Sequence, residues 1–372
     1  MKKVNGHEII QLFEEWSPKK FAVEDDPIGL QVGRLNEETE KVLVTLDVNE
    51  KVVDEAIEKG AKLIIAHHPP IFRRLKHIRT DLPQGRMFEK CIKHDISIYA
   101  AHTNLDVAPG GVNDLLAEIL ELEQCEVMEV SYSEPLYKLA VFVPVSHADI
   151  VRDALAKAGA GAIGDYNGCS FSTVGTGRFT PGNGADPFIG ENGKPEVVEE
   201  ERIEVVLPQS IRSKVLHAMI KAHPYEEVAY DFFQLDQRTN DFGLGRVGKL
   251  KTDMTLHDFA EFVKDRLSVP AVRVVGDLNA RVRKIAVLGG DGNKYIYAAK
   301  RKGADVFVTG DLYYHVAHDA LDLGLSVVDP GHNVEKVMIE GVVRKMTKLC
   351  SERGYNCEFV ASDINTEPFK FI

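Results

Sequence analysis

The sequence predicts an α/β fold built from two similar βαβ-rich halves, with a ferredoxin-like α+β domain inserted between them. Near both ends of the chain, short apolar runs alternate with helical patterns, which is typical of βαβ units in a mainly parallel sheet. Several of these runs end in histidine or acidic residues. The middle of the chain has a different order of elements. A chain of 372 residues is long enough for two or three domains of about 100–200 residues each.

The first half begins with a helix, because Ile9, Leu12, Phe13 and Trp16 recur at helical spacing. Its other elements are then set by apolar runs and by the glycine that ends a helix at position 60. The predicted strands are 41–47, 61–66 and 96–101, the predicted helices are 50–60, 87–94 and 112–122, and HTNLDVAPGG is predicted as a loop.

The second half repeats this order. The predicted strands are 284–288, 304–309 and 325–328, and the predicted helices are 295–302, 315–323 and 335–350. EKGAKLIIAHH, which ends at His68, matches RKGADVFVTGD, which ends at Asp311, and ISIYAAH resembles SVVDPGH. Two such halves would pack around a shared cleft. The alternative is that any two βαβ units share this much, and the sequence leaves it open.

The insert has its own predicted core. Its strands are predicted at 137–144, 170–178, 202–207 and 228–234, and its helices at 147–158 and 210–222. This β-α-β-β-α-β order is ferredoxin-like, and the stretch TPGNGADPFIGENGKP predicts a hairpin or a mobile loop. The predicted domains are therefore 1–130 plus 245–372, and 131–244.

Composition narrows the class of protein. A formal net charge of −12 argues against a general binder of nucleic-acid phosphates, so no direct nucleic-acid binding is expected. The five cysteines include no CxxC pair, which is unlike a disulfide framework or a cysteine zinc site. Neither a signal peptide nor an apolar run of about 20 residues is present, so we expect a cytoplasmic protein without membrane contact.

The candidate metal-binding residues follow three of the predicted strands. His67 and His68 follow one predicted strand, His102 and Asp106 follow the next, and His332 and Glu335 follow a strand of the second half. Ligands of open α/β sheets bind at the carboxyl ends of strands. Imidazole and carboxylate together suit Zn²⁺, Fe²⁺ or Mn²⁺. Adjacent histidines point apart, which favours two ions that Asp106 or Glu335 would bridge, as in two-metal hydrolytic sites.

Each of these residues also has an ordinary interpretation. Asp106 fits a turn or helix cap, and Glu335 fits a first helical turn. His102 would be a ligand, an orienting residue or a general base. Asp311 would orient a ligand or cap a helix, and His315 would line the cleft.

Two further motifs are ambiguous. GGDGN, which starts at Gly289, fits either an anion-binding loop or a plain tight turn. The cations Arg73, Arg74 and Lys76 would draw a phosphate to the cleft or form a solvated face.

Several blocks resemble a known family. WSPKKFAVEDDPIGLQVG, AHHPPIF, AHTNLDVAPGGVND, TGDLYYHVAHDA and DPGHNVEK resemble, in order, the motifs of the Nif-three-like family (Ngg-one-interacting factor three). Its bacterial members are often labelled GTP cyclohydrolase I type-two homologues. One departure is Asp26-Pro27-Ile28-Gly29, where the family usually has Asn. That loop is not expected to supply ligands.

The resemblance implies a centre of two divalent transition-metal ions per chain, with Zn²⁺ expected and Fe²⁺ or Mn²⁺ as alternatives. Carried over by motif, its ligands are His67, His68, Asp106, His332 and Glu335, with His102 close by. It also implies a toroidal homohexamer. HPYEEVAYD resembles the CutA signature, so the insert is expected to be a CutA/PII-like domain.

Two functions follow from these expectations. The first is a metal-dependent hydrolase, of GTP cyclohydrolase type by homology label only, acting on a small nucleotide-like or phosphorylated molecule. His102 or His315 would move protons in that reaction. The second is a non-catalytic metal-binding or regulatory scaffold whose insert senses a metabolite.

Overall fold

A computed structural model describes residues 2–372, which divide into two compact units. The first unit consists of the chain up to Tyr132 together with Phe242–Ile372, and the second unit is Ser133–Asp241. The second unit is therefore an insertion in the sequence of the first. None of the helices within residues 2–372 is both long enough and apolar enough to cross a membrane.

Helices and strands alternate along most of the described chain. The α-helices are α1 (Gly6–Trp16), α2 (Glu50–Lys59), α3 (Pro83–Lys93), α4 (Thr103–Val107), α5 (Val112–Ile119), α6 (Ala148–Ala158), α7 (Arg212–Ala222), α8 (Leu256–Arg266), α9 (Ile296–Arg301), α10 (Tyr314–Asp322) and α11 (Val337–Arg353). The strands are β1 (Gly29–Val32), β2 (Lys41–Thr45), β3 (Leu63–Ala66), β4 (Ser97–Ala100), β5 (Glu123–Pro144), β6 (Phe171–Phe179), β7 (Glu196–Pro208), β8 (Tyr230–Thr255), β9 (Arg273–Val275), β10 (Arg281–Asp291), β11 (Val306–Gly310), β12 (Ser326–Asp329) and β13 (Glu358–Ala361).

The first unit contains two sheets with the same central order. In one sheet, β2, β3 and β4 run parallel, and β1 lies antiparallel beside β4. In the other sheet, β10, β11 and β12 run parallel, and β9 lies antiparallel beside β12. On its other side, β2 pairs with β13, whereas β10 pairs with β8 on its other side. The carboxyl ends of β3, β4, β11 and β12 are the four places from which the candidate site is built.

Successive side chains of a strand point to opposite faces of the sheet, and both faces of each sheet are buried here. Val42 and Val44 point into a core that the two sheets share, with α1, α5, α8 and α11 between them, whereas Leu43 packs with α2 and α3 on the other face. In the second sheet, Val306 and Val308 join the shared core and Phe307 packs with α9 and α10. Burial on both faces explains why these strands are continuous apolar runs.

The second unit has the element order β-α-β-β-α-β, from the end of β5 through α6, β6, β7 and α7 to the start of β8. Its strand order is β6-β7-β5-β8. The core residues that these elements share are Leu139, Val141, Val143, Val151, Leu155, Ile203, Val205, Leu207, Val215 and Met219. The Gly/Pro-rich stretch connects β6 to β7, which pair antiparallel from Phe179 and Glu196 onward, so it is the connection of a hairpin.

Three local predictions were wrong. The segment predicted as a loop after His102 contains the five-residue helix α4, whose N-cap makes no side-chain hydrogen bond and so leaves little signal. Helix α3 begins at Pro83 rather than at residue 87, since proline lacks an N–H that the first helical turn does not need. The helix predicted from Glu335 begins at Val337, after a 3-10 helix at His332–Lys336.

Candidate metal centre

The predicted ligands come together at the carboxyl ends of the two sheets of the first unit. His67 and His68 directly follow β3, and His102 and Asp106 follow β4, with Asp106 on α4. His332 and Glu335 lie on the 3-10 helix after β12. Three groups have one ligand atom per residue, all within 4.8 Å of one another: His67, His68 and His102; His68, His332 and Glu335; and His67, Asp106 and Glu335.

Glu335 is the residue that joins two of these groups. Its Oε2 lies 3.0 Å from His68 Nε2 and 3.1 Å from His332 Nε2. Its Oε1 faces the other way and lies 3.7 Å from His67 Nε2, which is itself 3.7 Å from Asp106 Oδ1. One carboxylate therefore faces two sets of ligands, as in a site that holds two ions.

The other ring nitrogen of each histidine is held by an oxygen. His68 Nδ1 donates to Asp47 Oδ1 at 2.7 Å, and His332 Nδ1 donates to Asp311 Oδ2 at 2.7 Å. His67 Nδ1 donates to the carbonyl oxygen of Ala101 at 2.9 Å. Such bonds fix the ring orientation of metal-binding histidines and leave Nε2 as the ligand atom.

His102 is oriented in the same way. Its Nδ1 donates to Asp26 Oδ1 at 2.8 Å, and the other oxygen of Asp26 accepts from the backbone N–H of Thr103 at 3.0 Å and from its hydroxyl. The loop that departs from the expected Asn at Asp26-Pro27 therefore supplies no ligand in any of the three groups, but it sets the orientation of a histidine at their edge.

Two buried atoms at the centre have no hydrogen-bond partner in residues 2–372. They are His67 Nε2 and Asp106 Oδ1, which face each other on side chains that are fully or almost fully buried. Buried polar atoms are normally paired, because an unpaired one loses its hydration without compensation. A divalent cation would pair with both. Imidazole and carboxylate donors fit Zn²⁺, Fe²⁺ or Mn²⁺, so the residues present fit a metal centre.

The charges at this centre stabilise one another. Burial lowers the pKa of His68, but hydrogen bonds to Asp47 and Glu335 outweigh burial and raise it to about 10. The hydrogen bond to Glu335 raises the pKa of His332 to about 9. Burial acts to raise the pKa of Glu335, but the histidines around it hold that pKa well below its usual range. Glu335 is thus a buried anion that requires cations around it, whether imidazolium or metal.

Two glycines make room for Glu335. A Cβ added at Gly290 would lie 2.6 Å from Glu335 Oε1 and 3.3 Å from His332 Nε2, and one at Gly289 would lie 3.0 Å from Glu335 Cγ. Gly290 also has a φ of +65°, which favours glycine. The start of GGDGN lies within β10 and is therefore not a plain turn. It lets the backbone at the end of β10 approach the ligands.

The structure brings together His67, His68, His102, Asp106, His332 and Glu335, but it does not bring His315 to them. His315 lies exposed on α10, with its ring against that of Tyr314, and belongs to none of the three groups. Sequence reasoning missed Asp47 and the role of Asp26. Position alone was a signal for Asp47, which lies two residues after β2 as His68 lies two residues after β3.

Comparison with known proteins places this geometry in a family. The model of the Duf34/NIF3 family (NGG1p interacting factor 3) matches residues 4–368. A Bacillus subtilis protein named GTP cyclohydrolase 1 type 2 homolog is 62% identical over 371 residues, and the match covers 100% of both chains. A protein of the same name from Halalkalibacterium halodurans is 57% identical, again over 100% of both chains.

Solved structures agree with the sequence comparison. A Bacillus cereus protein related to NIF3 matches with a TM-score of 0.95 and 57% identity, and the match covers 100% of both chains. Staphylococcus aureus protein SA1388 matches with a TM-score of 0.79 and 34% identity over 100% of both chains. Both the whole-length family match and these relatives lead to one conclusion, that the chain belongs to the Duf34/NIF3 family.

Proposed function

We propose that the protein is a metal-dependent hydrolase with two divalent ions per chain, acting on a small nucleotide-like or phosphorylated substrate. The observation that supports this most directly is the position of Glu335, whose two oxygens face His67 on one side and His68 and His332 on the other. The name GTP cyclohydrolase 1 type 2 homolog, which belongs to relatives, is consistent with a nucleotide-like substrate.

The residues divide into holding and proton-handling roles. His67, Asp106 and Glu335 would hold one ion, and His68, His332 and Glu335 the other. Bound divalent ions supply Lewis acidity and make water a nucleophile at neutral pH. Asp26 fixes His102 by its Nδ1, so Nε2 is the nitrogen that accepts or delivers a proton at the edge of the centre. The predicted proton transfer by His315 remains a prediction from sequence.

Zinc is our proposal for the native ion, with iron and manganese as alternatives, because imidazole and carboxylate donors suit all three. The raised pKa values of His68 and His332 favour protonated rings beside the carboxylate of Glu335. An ion must displace protons from these rings when it binds. A catalytic site also keeps a coordination position open for water, whereas a structural or storage site is saturated by protein ligands.

The first experiment is metal analysis by mass spectrometry of the purified wild type, His68→Ala and Glu335→Gln. We expect about two ions per wild-type chain and loss of at least one from each variant, because Glu335 faces both groups. His257→Ala, which removes an exposed histidine of α8, is the matched control and should keep both ions. A wild type without metal, or variants that keep it, would contradict the proposal.

The second candidate function is a non-catalytic metal-binding scaffold. It is favoured by the separate core of the second unit, which we infer to be a CutA/PII-like ferredoxin-like domain able to sense a metabolite. X-ray absorption of the metal-loaded protein distinguishes the two functions. A water ligand on either ion supports the hydrolase, whereas full coordination by protein atoms supports the scaffold.

Assembly and location complete the proposal. We infer a toroidal homohexamer in the cytoplasm that binds a small molecule and contacts neither membranes nor nucleic acid. Light scattering on the purified protein tests the assembly directly. A mass six times that of the 41.3 kDa chain supports it, and a monomer contradicts it.

A further inference from the structure

The segment that follows the histidine pair carries a cluster of cations that the proposed reaction does not yet use. Arg73, Arg74, Lys76 and Arg79 occur within seven residues, with no acid among them, in a chain of formal net charge −12. Arg79 forms an ion pair with Asp81. The other three are exposed, and no acidic residue within 2–372 pairs with any of them.

These three cations line one cavity. Arg73, Arg74 and Lys76 line this cavity, which has a volume of about 500 Å³ and is open to solvent, together with Phe72 and residues at the start of α3. The segment is fastened to that helix, because Gln84 Nε2 donates to the carbonyl oxygen of Pro70 at 2.8 Å. Pockets for small molecules have volumes of about 300–1,000 Å³, so the space is suited to a ligand of that size.

Phe72 connects this cavity to the metal centre. Its ring is 63% exposed, lines the cavity, and stands edge-on to the ring of His102 with centroids 6.4 Å apart. His102 in turn lies against His67, with ring centroids 5.2 Å apart. Phe72 is therefore the residue that both lines the cavity and lies against His102 at the edge of the candidate metal centre.

We propose that the segment from Phe72 to Lys76 is the phosphate-binding part of the substrate site. Arg73, Arg74 and Lys76 bind the phosphate groups, and Phe72 packs against the ring system that those groups are attached to. Arginine forks pair with phosphate oxygens in a bidentate way, and an aromatic face stacks on a base. Three unpaired cations match a substrate with several negative charges, so the substrate class is a nucleoside di- or triphosphate. This inference rests on the proposed function.

The test compares GTP with guanosine, which lacks the phosphates, by calorimetric titration of the zinc-loaded full-length protein. Arg73→Gln with Arg74→Gln should weaken GTP binding about tenfold or more and leave guanosine binding unchanged, because charge-assisted bonds to phosphate are lost. Arg344→Gln with Lys348→Gln is the control. It removes the same charge from exposed positions of α11 and should change neither affinity.

A second variant tests Phe72. Phe72→Leu should weaken both GTP and guanosine about fivefold, since the stacking face is lost and the cations remain. Phe233→Leu removes an exposed phenylalanine of β8 and should have no such effect.

Several results would overturn the inference. Unchanged GTP affinity in the double arginine variant would mean that the phosphates bind elsewhere. Equal weakening in the α11 control would mean general charge attraction. A change of mass in light scattering of the arginine variant would mean that the segment is an interface between chains. Metal content is measured on the same samples, so a wild type without ions contradicts the proposed function separately from the GTP comparison.

Discussion

At the scale of single residues, the centre depends on how side chains far apart in sequence hold one another. Glu335 is a buried carboxylate within hydrogen-bonding distance of Nε2 of His68 and of His332. The Nδ1 atoms of the same two rings donate to Asp47 and to Asp311. That the histidines and Glu335 meet was predictable, because they follow apolar strands in recognisable blocks. Asp47 was not, because an isolated aspartate has many ordinary roles and its partner lies 21 residues away.

The glycine beside Glu335 gives a prediction at this scale. Gly290→Ala should remove most of the bound metal, because the new Cβ would lie 2.6 Å from Glu335 Oε1. Gly354→Ala is the matched control. Its φ of +68° imposes similar backbone strain of about 1–2 kcal/mol, but a Cβ there meets no atom within 4 Å. Metal content measured by mass spectrometry should fall only in the first variant, and an equal fall in both would mean that strain alone is responsible.

At the scale of elements, burial on both faces made the central strands predictable. The residues of β3 and β11 are buried throughout, so they form apolar runs that only a covered parallel sheet needs. The edge strands β1, β9 and β13 escaped prediction, because three or four residues with partly exposed side chains carry no distinct period. Helix α4 was not predicted either, because it has only five residues, although it contains Asp106.

A buried asparagine joins elements from the two halves. Asn113 on α5 donates from Nδ2 to the carbonyl oxygen of Asp106 and accepts at Oδ1 from the N–H of Gly289, both at 3.0 Å. Asn113→Ala should lower the free energy of unfolding by about 3 kcal/mol, because two buried backbone groups lose their partner. Asn279→Ala, at an exposed position, should change it by less than about 0.5 kcal/mol. Urea unfolding measures both, and similar small changes would show that Asn113 is dispensable.

At the scale of the whole molecule, the proposed ligands come from both sheets of the first unit, so ions bound to them should hold those sheets together. The second unit has a separate core and none of the ligands in the three groups. Its order of elements followed from the sequence, whereas the pairing of β13 with β2 did not, since a contact between the two ends of a chain leaves no local pattern.

Removing bound metal tests whether ions stabilise the first unit. The single tryptophan, Trp16, lies on α1 and packs against the shared core, so its fluorescence follows only the first unit. A chelator should lower the fluorescence-detected melting temperature by about 5–15 °C, because an ion that binds only the folded state adds a few kcal/mol. His68→Ala should melt at the lowered temperature with or without chelator. An unchanged midpoint in the wild type would contradict a stabilising centre.

The order of the proposed ligands along the chain has a consequence for the synthesis of the protein on the ribosome. His67 and His68 are made before the insertion Ser133–Asp241, and Glu335 is made long after it. A ribosome adds about 5–20 residues per second, so a growing chain spends many seconds with three of the five proposed ligands and without the carboxylate of Glu335. With the proposed ligands, both ion sites are complete only after nearly the whole chain has emerged, and a product truncated before Glu335 lacks the carboxylate that the two sites share.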